Sequence, residues 1–161
     1  MTSTDTLDKL LIACVQDLYA GAILMAERLP KLAVRVDDAA LKSVLLEQAE
    51  DSRTHAEALQ QTGWDTDGPA NLWMKGILKD AKRDSKSIAP GPLLDVALIG
   101  AIRKGFAAEI VSYETAVAVA DALGESGVRD AATSNSAQRQ AADHALRNLL
   151  APITARGLSA D

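Results

Sequence analysis

Aromatic residues are scarce in this chain, at 3% of the sequence, whereas alanine and leucine abound. Strands lean on branched and aromatic side chains, so the imbalance points to closely packed helices and an all-α fold. Cysteine is reduced to Cys14, which excludes an internal disulfide and a thiolate metal cluster and leaves the thiol as a small buried hydrophobe. Only two histidines accompany it. That is too few groups for a zinc site or a Ser/His/Asp constellation, and the glycines follow neither the dinucleotide nor the phosphate-loop pattern. Hydrolases and nucleotide enzymes find no support.

Positive charge is also in short supply. The formal net charge is −5, and the basic residues read as scattered, so no stripe is expected that would neutralise a phosphate backbone; nucleic acid is not an expected partner. The segment Met1 to Asp8 is polar and acidic, and no run approaches the roughly 20 apolar residues that span a bilayer, so no membrane association and a cytoplasmic location are expected. What remains is 161 residues with 48% hydrophobic content, enough for one domain, 1–161, with its own core.

Helical periodicity then divides the chain. A first long helix, about 5–29, should start near Thr4 or Asp5 and run until Pro30 interrupts or kinks it, with Leu11, Val15, Leu18, Ala22, Met25 and Leu29 on its apolar stripe. A second, about 38–62, ends at Gly63 and turns Leu41, Leu45, Gln48, Ser52, His55 and Leu59 inward. The Gly- and Pro-bearing stretch 63–92 reads as a crossover holding a short helix from Asn71 to Ser85, pinned by Trp64, Trp73 and Met74. A third long helix, about 93–123, shows Leu98, Ile102, Gly105, Glu109, Ser112 and Ala116. The fourth, about 126–150, shows Val128, Ala132, Asn135, Arg139, Ala142 and Leu146, and a fraying tail is expected beyond Pro152.

One constant offset superposes Leu11 on Leu98 and Leu59 on Leu146, implying two copies of a helical hairpin. Under it Ala22 matches Glu109, Ser52 matches Arg139, and His55 matches Ala142, all on the inward stripes. A duplicated four-helix bundle with a long crossover is the ferritin-like plan, in which a Glu on each of two helices and Glu-x-x-His on each of the other two hold two metals. Here the pattern is dismantled: Ala22 replaces one Glu, Ser52-x-x-His55 and Arg139-x-x-Ala142 replace the two motifs, and only Glu109 and His55 remain. One carboxylate and one imidazole leave a dimetal centre badly undercoordinated. The expectation is a polar core layer of Glu109, Arg139, His55, Ser52, Gln48 and Asn135. In it Glu109 and Arg139 form a buried ion pair whose guanidinium fills the role of metal; the other reading has Arg139 snorkelling outward.

The segments "DLYAGAILMAERLPKLA", "LKSVLLEQAEDSRTHAEAL", "DVALIGAIRKGFAAEIVSYETAVAVADALG" and "QAADHALRNL" resemble the YciE/YciF-type ferritin-like family (DUF892). Asp17, Tyr19, Leu29, Pro30 and Lys31 carry part of the match; Leu98, Ile99, Glu109, Ile110, Tyr113, Thr115 and Ala116 carry another. The resemblance implies a ferritin-like bundle, a stress-associated bacterial cytoplasmic setting and a homodimer. It also implies acidic residues where this chain has Ala22, Phe106, Gln138 and Arg139, so metal binding does not transfer and only Glu109 carries over as a ligand-position residue.

Three function classes follow. The first is a non-catalytic, metal-free bundle without cofactor that acts by assembly or partner binding. The second is an oxidoreductase with a reduced iron or manganese site at Glu109 and His55, recruiting Glu50, Asp51 or Glu114. The third is a small-molecule binder using space beside Ala22 and Ala142, unless Phe106 and Met25 fill it. Outside the core, Asp51 and His55 sit one turn apart as a surface pair. His144 beside Asp143 complements a helix C-terminus. The run 79–87, "KDAKRDSKS", reads as a solvated face or an electrostatic partner contact. Leu72, Trp73, Ile77 and Leu78 on the crossover either form an interface or cover the bundle.

Overall fold

The computed structural model describes residues 3–159, which form five helices and, among those residues, no strand: α1 (Leu7–Ala33), α2 (Ala39–Gln61), α3 (Leu72–Ser87), α4 (Pro92–Leu123) and α5 (Ser126–Leu158). Helices α1 and α2 form one hairpin, α4 and α5 the other. The hairpins meet along α1–α4 and α2–α5, and α3 lies outside, against α4 and α1.

Polar caps set the helix starts. Thr6, one residue beyond the expected start, accepts the amide of Lys9 at 3.3 Å. Asp38 accepts that of Leu41 at 2.8 Å, and Asn71 that of Met74 at 2.8 Å. Gly63 and Gly124 end α2 and α4 in the left-handed region, at φ 79° and 73°, where a side chain would be strained.

Two expected breaks do not occur. Helix α1 passes through Pro30 to Ala33, and α5 passes through Pro152 to Leu158. An internal proline removes one hydrogen bond, but the turns beyond each carry core residues: Leu32 and Ala33 in α1, Ile153 in α5. Arg156 also pairs with Asp38 across the molecule. The tail expected to fray is therefore helical to Leu158 and held against the bundle as far as Arg156, because tertiary burial outweighs local propensity.

The expected inward stripes are buried with one exception, Ser112, which is only partly covered. Tyr113 beside it is fully buried instead. The main apolar cluster joins Met25, Leu29, Leu45, Leu98, Ile102, Phe106 and Leu146 at one end of the bundle. Smaller clusters around Leu18, Leu59 and Tyr113 and around Leu11 and Val128 fill the other. Between them lies the polar layer.

Two further expectations need correction, and one open alternative is narrowed. Helix α1 does reach membrane-spanning length and composition, with a mean hydropathy of 1.5 over its best 18-residue window; the apolar residues that produce this value include those packed against the rest of the bundle. On the crossover, Leu78 and Met74 are buried and Trp73 is half-buried, its indole donating to Asp17 Oδ2 at 2.9 Å, so this face mostly covers the bundle and only Leu72 projects outward. The basic residues are not scattered: α1, the turn that follows it and α3 gather seven of them around one groove.

Candidate functional site at the polar core layer

Periodicity places Gln48, Ser52 and His55 on one face of α2, Asn135 and Arg139 on one face of α5, and Glu109 on α4, and the bundle brings all six together. Arg139 and Glu109 are both 0% exposed. The guanidinium Nη1 donates to Gln48 Oε1 at 2.8 Å. Nη2 donates to Ser52 Oγ at 3.1 Å and to Glu109 Oε1 at 3.3 Å, and lies 3.4 Å from His55 Nδ1. Its Cζ sits 4.5 Å from the Phe106 ring centroid, so the aromatic face covers the guanidinium. Nε and Glu109 Oε2 are 2.7 Å apart, yet the N–H is not aimed at that oxygen. The ion pair is intact while one of its two possible hydrogen bonds is poorly aligned.

His55 is fully buried and bridges two elements, with Nε2 2.9 Å from Oε1 of Gln138 and its backbone carbonyl accepting Asn135 Nδ2 at 3.3 Å. Burial, reinforced by the adjacent Arg139 charge, pushes its pKa down from 6.5 to about 4. The imidazole is therefore neutral near pH 7. An Nε2–H tautomer satisfies both ring nitrogens at once, Nε2 donating to Gln138 and Nδ1 accepting from Arg139. Asp51, expected to pair with His55, instead accepts Gln48 Nε2 at 2.7 Å and so holds the amide whose oxygen meets Arg139. Glu109 feels opposing influences: burial pushes its carboxyl above the usual range, and Arg139 pulls it back.

Tyr113 belongs to this layer; the expected stripe of α4 ran through Ser112, but a place four residues after Glu109 and three before Ala116 puts Tyr113 on the inward face. Its ring meets His55 edge-on with centroids 6.3 Å apart. Burial and the nearby Glu109 charge raise the phenol's pKa well above its ordinary value. The Arg139 charge and, after it, the nearby Asn135 oppose that rise, but the hydroxyl has no hydrogen bond of normal geometry among the described residues.

The remaining positions are accounted for. Ala22 and Ala142 are buried, and neither lines a described cavity. His144 is exposed, while its neighbour Asp143 binds Arg103 through two hydrogen bonds of 2.7 and 3.1 Å. Asp95 was not singled out in the sequence; it is 1% exposed and accepts the backbone amides of Asp37 and Asp38 at 3.0 and 2.8 Å, fastening the α1–α2 turn to α4.

This donor set does not fit a dimetal centre. Among the described residues no three His, Cys, Asp or Glu side chains converge. The carboxylate and imidazole that remain are already engaged by a fixed cation, which would repel another.

The profile of DUF892, a domain of unknown function, matches residues 6–159. The chain belongs to the DUF892 family. Two solved structures share its fold. The stress protein YciF of E. coli superposes with a TM-score of 0.90 at 22% identity, covering 94% of this chain and 98% of that one. YcfI of Rhodopseudomonas palustris, for which a structural role has been put forward, superposes at 0.84 with 25% identity, covering 91% and 98%. The architecture of this DUF892 protein is thus the ferritin-like helical fold expected from its two hairpins. No curated protein matches the sequence.

Proposed function

We propose that this DUF892 protein is a non-catalytic, metal-free ferritin-like bundle, acting by assembly or partner binding in a stress-associated role. The observation that carries the reading is the Arg139 guanidinium, 2.7 Å from Glu109 and surrounded by Gln48, Ser52, His55 and Phe106, in the layer where ferritin-like proteins place metal ligands. A fixed cation there supplies positive charge without redox chemistry or an open coordination position. The reduced iron or manganese site at Glu109 and His55 has no further carboxylate converging on it among the described residues. The stress association is taken over from the name of YciF; the cytoplasmic setting and the homodimer remain parts of the proposal.

Elemental analysis of protein purified without chelator, with and without added iron and manganese, tests the reading. The expected result is far less than one metal per chain. Stoichiometric metal that is lost in Glu109→Gln would overturn it and install the oxidoreductase reading.

A further inference from the structure

Helix α3 starts beside the middle of α1: Asn71 Nδ2 donates to the Asp17 carbonyl at 2.9 Å, and a Cβ on Gly21 would lie 3.0 Å from Asn71 and 3.7 Å from Trp73. From there the two helices run the same way, because one groove of about 750 Å³ between them is lined from Leu24 and Lys75 as far as Arg35 and Lys86. Leu24, Leu32 and Leu78 form its floor, and seven Lys or Arg side chains and no acid form its walls.

The cations are ordered. Arg28 and Lys79, Lys31 and Lys82, and Arg35 and Lys86 share one sequence offset, the same offset that relates Leu24 to Lys75 at the head of the groove. Parallel helices with equal rise bring the first two pairs to about the same level, giving two cationic rungs roughly one helical turn apart, and Arg35, in the turn just beyond α1, lines the far end of the groove with Lys86. Among the described residues none of these side chains is in an ion pair, and Asp80 and Asp84, which lie round α3 from the groove face, pair with Arg83. Like charges facing across a groove repel, so this ladder lowers stability in the free protein. The rest of the molecule is strongly acidic, since the whole chain still carries −5.

We infer that this groove is a docking site for an acidic amphipathic helix of a partner protein. Carboxylates at i, i+3 and i+7 repeat at about the spacing of the rungs, and an apolar stripe between two such rows would meet the leucine floor. A bare polyanion would use the walls and leave the leucines without a role; a single-headed amphiphile would engage one rung and leave the other repelling. The inference deepens the proposed partner-binding reading by naming the partner's chemistry.

The test titrates a fluorescent synthetic helix of about 14 residues, blocked at both ends, with glutamates flanking a leucine stripe at that spacing. Two controls go with it: a peptide of identical composition with the spacing scrambled, and inorganic polyphosphate of matched charge. Expected are one-to-one binding that weakens with salt, at least about tenfold weaker binding of the scrambled peptide, and loss of binding in Lys79→Glu/Lys82→Glu. That variant should also melt no lower than wild type, because it relieves repulsion. Equal affinity for the scrambled peptide or for polyphosphate, or unchanged binding in the variant, would overturn the inference. Concentration-dependent self-association that the variant abolishes would also overturn it, by assigning the groove to a second copy of the chain. Metal content is measured separately, so a failure of the core reading leaves this outcome distinct.

Discussion

Arg139 is the residue on which the core layer turns, since it meets Gln48, Ser52, Glu109, His55 and Phe106. Removing one partner of a buried pair strands the other, so Arg139→Met and Glu109→Gln are each expected to lose about 3–5 kcal/mol in urea unfolding. Replacing both groups with apolar side chains of similar volume should recover much of that loss, because the intact pair repays little more than its own desolvation. A double variant no more stable than either single one would count against this asymmetry. His55 supplies a pH signature. Its pKa is about 4 when folded against an ordinary 6.5, so between those values the unfolded chain binds a proton that the native state refuses. Its contribution is complete above about pH 6.5, declines as pH falls, and is gone below about pH 4, by up to roughly 3 kcal/mol. Glu109, raised by burial, titrates with the opposite sign, so the comparison is wild type against His55→Gln across that range. NMR titration of the imidazole should report the same low value directly.

At the scale of elements, α5 owes its last turns to tertiary contacts and not to its local sequence. Ile153 is 1% exposed beyond Pro152, and Ile153→Ala should cost about 2–5 kcal/mol and speed amide exchange through the final turns of α5. The turn between α1 and α2 depends similarly on Asp95. Asp95→Ala leaves the amides of Asp37 and Asp38 without their acceptor and is expected to lower stability by about 1–3 kcal/mol, measurable as a shift in the urea midpoint at unchanged slope. Both cases rest on contacts between residues far apart in sequence, which periodicity does not encode.

Across the whole molecule, charge is divided between an interior layer in which the positive group is fully partnered and an exterior groove in which positive groups face one another. The first reads as structure and the second as a site awaiting a counter-charge. Elemental analysis of the interior and peptide titration of the groove therefore probe separate regions. Substitutions in the groove should leave the His55 titration unchanged, since the surface cations line α1, the turn after it and α3, and the polar layer is built from α2, α4 and α5.

The sequence by itself determined the helical class, the two hairpins and the stripe on which each core residue lies, because apolar residues at helical spacing have one way to be buried. It also brought Glu109, His55, Ser52, Gln48, Asn135 and Arg139 to one level, since their places on the stripes fix their depth along the bundle. It could not show that Asp51 turns to Gln48 and leaves His55, or that helices continue through Pro30 and Pro152. Nor could it show that basic residues distant in the chain line one groove. Those outcomes depend on the rotation and register of packed helices, which are set by contacts between segments and leave no periodic trace within either one.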